Sequence, residues 1–451
     1  MKIVIIGSGT VGGAICAQLA GEHHDITVVD TDQASIAQLA DAQDVYGVVG
    51  NGADISVLQK AGADKADLLI AVTPGDELNL LCCAAARKLG AKHSVARVRN
   101  PEYTELMRLL KSEMNLSRAI NPELSAAKEI YRSLRFPAAA KVETFYHGRV
   151  ELAEFTLPED SAICGKSLIE LRNDLSMRFL ICAVERGDEV FVPSGHFVLQ
   201  AGDVLCVTAP EEEITHFFKE VGAFQTPVRN ILVAGGGRIS YYLLELLRKT
   251  RIRATVIEVD PVLCRELAEQ CSCTVINSDA AEQEVLLEQG LAETDAYLAL
   301  SSQDEENVIT SMYAKNLGVE KVITLIRKRD HTEIYKTAGL QTIVSPKNST
   351  AAYLLRYVRA LANVRGSEIE SLYKIMGGKV EAIEFLVKEE LPGLTGIMLK
   401  DLQLCKDVLI ACIVHKEQII IPSGADVIEN GDTVIVIAKG GQLKGIKDIV
   451  K

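Results

Sequence analysis

The 451-residue chain repeats itself at a fixed spacing. A glycine-rich segment at residues 7–12 returns 228 positions later at residues 235–240, each time directly after an apolar run typical of a buried strand. The same spacing relates three pairs of acidic or amide residues without a gap: Asp30 and Glu258, Asp76 and Asp304, Asn79 and Asn307. A gap-free register of this kind predicts two tandem copies of one folding unit.

The first copy opens with a G-x-G-x-x-G motif in its full context. A strand-like run enters it, helix-forming residues leave it, and a second strand-like run ends on Asp30. Gly7 permits the tight turn, Gly9 lets a pyrophosphate approach the backbone, and Gly12 lets the helix pack on the strand. Asp30 would accept ribose hydrogen bonds and repel a 2′-phosphate. We expect a dinucleotide site that favours NAD(H) over NADP(H); the alternative is a purely structural turn.

Each copy divides into two domains. Residues 1–136 alternate strand-like and helix-like patterns, which predicts an α/β fold with a doubly wound parallel sheet, Rossmann-like. Its expected strands are 3–6, 26–29, 45–49, 68–72, 94–98 and 118–120. Residues 140–224 contain short strands and turns typical of a small α+β domain, and the same pair of domains returns at 228–360 and 368–451. These small domains are expected to be more stable when paired.

Three further segments are assigned from the pattern. A helix is expected at Glu102–Met114, and Thr226-Pro227 is expected to link the two copies. Another helix, Ser125–Leu134, overruns the standard fold and forms either a packing arm within the domain or an interface between domains.

Composition excludes several classes of function. A formal net charge of −13 argues against nucleic acid as a partner and against direct adsorption to an anionic membrane. No apolar stretch is long enough to span a bilayer, and the first strand begins at Lys2, so we expect no signal peptide. The cysteines lie mostly in apolar runs, which indicates reduced thiols in the cytosol and no metal site. Membrane association would require a protein partner.

Loops at the carboxyl edge of the first sheet supply further candidates. Thr73 and Pro74 follow the fourth strand, where they can line a ribose, whereas Asp76 is either a ligand contact or a helix N-terminal charge. Arg97 and Arg99 alternate around Val98, and we expect them to face opposite sides of the sheet. One would reach a phosphate or carboxylate of the ligand, and the other would form a salt bridge.

The second glycine loop differs from the first in three ways. Ser240 stands in place of the third glycine, Arg238 is placed to meet a phosphate, and Glu258 replaces Asp30. We expect this copy to bind a nucleotide as well. Neither copy presents a His–Asp or Lys–Asp pair on a recognisable catalytic loop, which a dehydrogenase would need beside its nicotinamide. We therefore predict that the chain is not an enzyme.

These segments together resemble the RCK (regulator of potassium conductance) domain family. The resemblance is carried by the glycine loop with Asp30 and by three further segments: residues 50–54 (GNGAD), 73–79 (TPGDELN) and 96–101 (ARVRNP). The doubled arrangement resembles the TrkA family, the regulatory proteins of Trk potassium-uptake systems. It implies two RCK domains, each followed by a TrkA-C domain, and binding of NAD(H) and of ATP or ADP.

The resemblance also implies which residues form the two sites. The first comprises Gly7, Ser8, Gly9, Thr10, Val11, Gly12, Asp30, Thr73, Pro74 and Arg97. The second comprises Gly235, Gly236, Gly237, Arg238, Ile239, Glu258, Ser301 and Ser302. Ser301-Ser302 departs from the Thr-Pro pair of the first copy, and Asn51 stands where the family often has aspartate.

The leading hypothesis is a cytoplasmic allosteric regulator at the inner face of the cell membrane, gating a Trk-type potassium channel subunit. A homodimer would supply four RCK domains, enough for a closed pseudo-fourfold ring. The alternatives are an NAD-dependent oxidoreductase that uses the second copy as its substrate domain and a free-standing nucleotide sensor without a channel partner.

Overall fold

The computed structural model describes residues 1–20, 24–103, 114–136, 141–146, 149–175, 177–222, 228–327, 335, 339–340, 342–363, 369–440, 443 and 445–450. The predicted helix Glu102–Met114 lies largely outside these described residues, and the predicted linker Thr226-Pro227 lies wholly outside them. Contacts divide the chain into two compact units: Met1–Tyr131 with Val228–Val358, and Arg132–Pro227 with Arg359–Lys451.

The first α/β domain is a six-stranded parallel sheet in the order β3-β2-β1-β4-β5-β6. Its strands are β1 (Lys2–Ile6), β2 (Asp25–Asp30), β3 (Tyr46–Val49), β4 (Leu68–Ala71), β5 (His93–Arg97) and β6 (Arg118–Ile120). Its helices are α1 (Thr10–Ala20), α2 (Gln33–Ala42), α3 (Ile55–Lys60), α4 (Asp76–Leu89) and α5 (Pro122–Arg135). This order is the doubly wound topology, and it confirms the predicted fold class.

The first small domain is an antiparallel sheet in the order β10-β9-β11-β8-β7. Its strands are β7 (Lys141–Phe145), β8 (Val150–Thr156), β9 (Leu180–Arg186), β10 (Glu189–Phe191) and β11 (Val204–Ala209). Two helices accompany them, α6 (Leu168–Asp174) and α7 (Glu211–Glu220).

The second α/β domain repeats the first with the order β14-β13-β12-β15-β16-β17. Its strands are β12 (Asn230–Ala234), β13 (Arg253–Glu258), β14 (Thr274–Asn277), β15 (Ala296–Ala299), β16 (Lys321–Leu325) and β17 (Thr342–Val344). Its helices are α8 (Arg238–Leu247), α9 (Pro261–Gln270), α10 (Gln283–Glu288), α11 (Asp304–Asn316) and α12 (Pro346–Asn363).

The second small domain is again antiparallel, in the order β18-β19-β22-β20-β21. Its strands are β18 (Ile369–Ile375), β19 (Val380–Leu386), β20 (Val408–His415), β21 (Gln418–Ile420) and β22 (Thr433–Lys439). Short 3₁₀ turns at Met376–Gly378, Leu399–Asp401 and Ile446–Ile449 connect or follow them.

The two α/β domains contact each other within their unit. The Ser349 hydroxyl on α12 donates to Glu129 Oε2 on α5 at 2.7 Å, and Arg118 Nη1 lies 3.3 Å from the Tyr353 hydroxyl. Apolar residues of α5, including Ala126 and Ile130, are fully buried. The helix that overruns the standard fold therefore has both a packed face and a contact with the other copy.

The two small domains share one hydrophobic cluster within their unit. Phe145, Leu152 and Cys182 from the first domain are buried together with Ile375 and Ile437 from the second. The Phe145 and Tyr373 rings lie 4.3 Å apart between centroids. Polar contacts surround the cluster: Met376 N donates to Glu154 Oε1 at 3.0 Å, and Lys379 Nζ lies 2.5 Å from Glu185 Oε1. Each sheet thus covers an apolar face of the other.

All eleven cysteines are free thiols, and most are buried. Burial raises the pKa of Cys16 to about 12 and that of Cys82 to about 11, so these thiols remain protonated at neutral pH. They pack as small apolar side chains.

Candidate functional site

The first glycine loop connects β1 to α1 and is held in a conformation that requires two of its glycines. Gly7 has φ +107°, and its amide donates to Val29 O on β2 at 2.8 Å. A Cβ at Gly12 would lie 1.9 Å from Gly7 O, so α1 can leave the loop only if this position has no side chain. A Cβ at Gly9 would meet nothing within 4 Å. The loop is therefore tight inside and open at Gly9.

Asp30 ends β2 and is bonded to the glycine loop. Its Oδ2 accepts from Ser8 N at 2.7 Å and from Ser8 Oγ at 2.8 Å, while Oδ1 accepts from Asp32 N at 3.0 Å. Partial burial opposes its ionisation, but these hydrogen bonds outweigh that effect and hold the pKa of Asp30 below its ordinary value. The carboxylate is charged at neutral pH and is fixed beside the loop.

The buried side-chain amide of Asn79, which is not among the predicted site residues, holds Thr73 next to the glycine loop. Asn79 is fully buried, and its Oδ1 accepts from Thr73 N and Thr73 Oγ1, both at 2.8 Å. Its Nδ2 donates to Thr73 O and Arg97 O, both at 3.0 Å. A Cβ at Gly7 would lie 3.1 Å from Thr73 N, so the two loops are in direct contact. The available signal was the recurrence of this asparagine, as Asn307, in the second copy.

The prediction that Arg97 and Arg99 face opposite sides of the sheet is wrong. Arg97 donates through Nη2 to Thr73 O, and Arg99 Nη2 donates to Pro74 O at 2.5 Å. Residues two apart in extended chain share a face, and β5 in any case ends at Arg97. Burial lowers the pKa of Arg97, and so does the nearby Arg99 charge. Both guanidinium groups support the loop on which Thr73 and Pro74 lie.

Asp76 has a structural role in the first domain. It is buried at the start of α4, and its Oδ2 accepts from Arg99 N at 2.7 Å and Asn100 N at 2.9 Å. Asp304 does the same in the second domain, where Oδ1 accepts from Arg327 N at 2.9 Å. These acids fix the segment that follows the fifth strand of each sheet.

The second glycine loop has the same frame with different side chains. Gly235 has φ +102°, and a Cβ there would lie 2.8 Å from the backbone of Ser301. Ser240 donates through Oγ to Gly235 O at 2.5 Å. Gly235 O is the counterpart of Gly7 O, the carbonyl that a Cβ at Gly12 would meet in the first domain. Glu258 Oε2 accepts from Gly236 N at 2.6 Å, and Oε1 accepts from Asp260 N at 2.9 Å.

A crevice of about 430 Å³ lies along this second loop. It brings together five of the predicted site residues: Gly235, Gly237, Glu258, Ser301 and Ser302. Arg327, Asn307 and Glu306 also line it, and none of them was among the predicted site residues. Burial lowers the pKa of the Arg327 guanidinium, while Glu123 and Asp304 raise it.

The remaining predicted residues divide by exposure. Val11 and Ile239 are buried, so they can offer a ligand only backbone groups. Thr10 and Arg238 are exposed at the first position of α1 and α8, where the free N–H groups of a helix start attract anions.

In each domain the region between the glycine loop and the end of the second strand offers groups that a nucleotide would use; this region is called the first crevice in the first domain and the second crevice in the second. The backbone at Gly9 and at Gly237 is open, since a Cβ at either position would meet nothing within 4 Å. A carboxylate stands at the end of the second strand in each domain, which is where a ribose hydroxyl is recognised in this fold. In the second domain, hydroxyls, amides and the charged side chains of Glu306 and Arg327 supply further polar groups.

Fold and site together define a protein with two nucleotide-binding domains of the Rossmann-like class in one chain. The sequence profile of the TrkA-N domain matches residues 3–122 and 231–346, and that of the TrkA-C domain matches residues 152–222 and 382–451. A Trk system potassium uptake protein TrkA homolog from Archaeoglobus fulgidus is 32% identical over 100% of both chains. The chain belongs to the TrkA family.

Solved structures support the fold independently. A structure described as the GsuK channel bound to NAD has a TM-score of 0.63 at 18% identity, covering 98% of this chain and 77% of that one. One described as GsuK bound to ADP has a TM-score of 0.51 at 16% identity, covering 80% of this chain and 69% of that one.

Two other predictions bear on the class of protein. The relative is named for potassium uptake and not for a catalysed reaction, which agrees with the prediction that the chain is not an enzyme. Within the described ranges, no helix has the length and hydrophobicity needed to cross a bilayer.

Proposed function

We propose that the chain is the nucleotide-binding regulatory subunit of a Trk-type potassium-uptake system. It binds NAD(H), and ATP or ADP, in both crevices and gates a membrane channel subunit from the cytoplasmic face. The observation that carries this proposal is the duplicated site, in which a carboxylate and an open glycine backbone are fixed twice. The name of the relative from Archaeoglobus fulgidus supplies the transport system.

Gating requires the nucleotide to bind one arrangement of the α/β domains more tightly than another. A ligand with equal affinity for both arrangements would shift nothing, however tightly it bound. The hydrogen bonds of Asn79 would transmit nucleotide binding to the rest of the domain. Asn79 lies on α4 and bonds both Thr73, in the loop beside the nucleotide, and Arg97 at the end of β5. Occupancy of the crevice would therefore bias the position of these elements.

Asp30→Ala tests the first site directly. Removing the carboxylate should weaken NADH binding there by roughly 1.5–3 kcal/mol, the range for hydrogen bonds to a charged group. The measurement is isothermal titration calorimetry of the full chain in a Glu258→Ala background, so that only the first site reports. Asp54→Ala removes another exposed carboxylate, a helix cap on α3, and serves as the control that keeps NADH affinity. Unchanged affinity in Asp30→Ala would count against the ribose assignment.

The assembly we propose is a homodimer whose four α/β domains close into a pseudo-fourfold ring. Equivalent helices of the two domains each expose a large apolar side chain: Leu81 on α4 is 57% exposed and Ile309 on α11 is 66% exposed. Met312, on the same helix as Ile309, is 44% exposed. Ile309 and Met312 lie one helical turn apart, and an apolar patch of this kind would suit an association surface.

The double variant Leu81→Glu, Ile309→Glu should reduce the mass in solution from twice 49.0 kDa to 49.0 kDa, measured by light scattering after size exclusion. Charge on this surface would have to be desolvated in the assembled state. Leu287→Glu, at an exposed leucine of α10, is the matched control and should keep the dimer mass. A double variant that retains the parental mass would place the association surface elsewhere.

A further inference from the structure

We propose that Tyr242 and Glu123 couple the two nucleotide crevices of one chain, so that filling one changes the affinity of the other. This inference rests on the proposed function, since it assumes that both crevices bind a nucleotide. It concerns contacts between the two α/β domains that belong to neither crevice.

Tyr242 bonds the helix of the second glycine loop to the first domain. It lies on α8, one turn after Arg238, and is 7% exposed. Its hydroxyl donates to Arg99 O at 2.8 Å and accepts from Asn121 Nδ2 at 2.8 Å. Any shift of α8 on nucleotide binding therefore acts on the segment that carries Arg99.

Arg99 continues this connection to the first crevice. Its backbone amide is held by Asp76, and its guanidinium donates to Pro74 O at 2.5 Å. Pro74 follows Thr73, whose amide lies against the first glycine loop. The path from α8 to the first crevice thus consists of two hydrogen bonds made by one residue.

Glu123 forms a second connection, through charge. It lies on α5 with Oε1 4.0 Å from Arg99 Nη1, and its negative charge raises the pKa of the Arg327 guanidinium, opposing the effect of burial. Arg327 lines the second crevice. Glu123 Oε2 and Arg327 Nε are both buried without a hydrogen-bond partner among the residues that the structure describes. Glu123, whose Oε2 is buried, thus lies 4.0 Å from Arg99 and interacts electrostatically with Arg327 in the wall of the second crevice.

An anion bound in the second crevice would engage Arg327 and weaken its attraction for Glu123. The carboxylate would then interact more strongly with Arg99, which holds Pro74 at the first crevice. By linkage, a nucleotide in the first crevice would change the affinity of the second by the same factor. The connection is not repeated in the opposite direction. Ala14 stands at the position equivalent to Tyr242. Lys347, after the proline that begins α12, stands where Glu123 follows the proline that begins α5.

The test measures the affinity of the first crevice for NADH by calorimetry on the full chain, once with the second crevice intact and once in the Glu258→Ala background. We expect the two affinities to differ by about fivefold in the parental chain, the lower end for coupled sites. In the Tyr242→Phe, Glu123→Gln double variant, the ratio of the two NADH affinities should fall to about one. Tyr242→Phe alone keeps the ring packing and should lower the ratio partway.

Ser349→Ala is the matched control, because it removes a 2.7 Å hydrogen bond to Glu129 between the same two domains at a place remote from Arg99. It should leave the ratio unchanged. A ratio that persists in the double variant, or a ratio of one in the parental chain, overturns the coupling while the proposed function stands. If the parental chain binds no NADH at either crevice, the proposed function itself is refuted and the coupling with it.

Discussion

Replacing Gly12 by alanine is expected to abolish NADH binding at the first crevice and to lower the free energy of unfolding by about 1–3 kcal/mol, as overpacking does. The new methyl group would lie 1.9 Å from Gly7 O, where real Cβ contacts essentially never fall below 3.0 Å. The obstacle is a backbone carbonyl, so relief requires moving the loop or α1. Either movement displaces the N–H groups that would face a pyrophosphate.

The neighbouring glycine provides a control for this prediction. A Cβ at Gly13 would lie 3.9 Å from Ser8 O and 4.0 Å from Leu39 Cδ1, which is ordinary contact. Gly13→Ala should therefore keep NADH affinity and raise stability slightly, because alanine favours a helix over glycine. Both variants can be compared by calorimetry and urea denaturation. Parental affinity in Gly12→Ala would mean that the loop is not the phosphate-binding element.

Asp203→Ala in the first small domain is expected to lower the free energy of unfolding by about 3 kcal/mol. Asp203 is 1% exposed and accepts from Arg186 Nε at 2.7 Å, Arg186 Nη2 at 2.8 Å and Gln200 N at 2.8 Å. Its removal leaves a guanidinium that cannot lose its proton. The loss stays at the low end for a broken buried ion pair because the Arg186 side chain is 33% exposed and retains access to water.

The second small domain carries a natural comparison for Asp203. There His415 replaces the arginine, with Nδ1 2.7 Å from Asp432 Oδ1. The imidazole makes one hydrogen bond to Asp432 where the guanidinium makes two to Asp203, so Asp432→Ala should cost less, about 1–2 kcal/mol. Urea denaturation of the two variants side by side checks the difference. Equal losses would show that the second hydrogen bond of Arg186 is not what makes Asp203 necessary.

The sequence was sufficient for the architecture of the α/β domains, because the alternation of strands and helices and the glycine loop are local signals. The predicted strand at residues 26–29 became β2, and Asp30 lies at its end beside Ser8. The small domains were harder: β7 (Lys141–Phe145) was not predicted, since a five-residue run that mixes Lys141, Glu143 and Thr144 with apolar residues has little periodicity.

Residues whose role depends on packing between loops could not be assigned from the pattern. Asn79 was noticed only as a mark of the repeat, although it makes four hydrogen bonds around Thr73 and β5. Arg327 stands 228 positions after Arg99, the spacing of the repeat, but its place in the wall of the second crevice depends on how β16 ends beside α11. Arg97 and Arg99 are two residues apart, so extended-chain geometry alone places their side chains on one face, contrary to the prediction.

The cluster that Phe145, Leu152 and Cys182 share with Ile375 and Ile437 has a consequence for how this chain can evolve. A gene shortened to either half would encode a small domain whose sheet exposes its apolar face to water. Deletion of one copy would therefore require the surviving half to cover that face by pairing with a second copy of itself. Selection on either half must keep the surface that the other half needs.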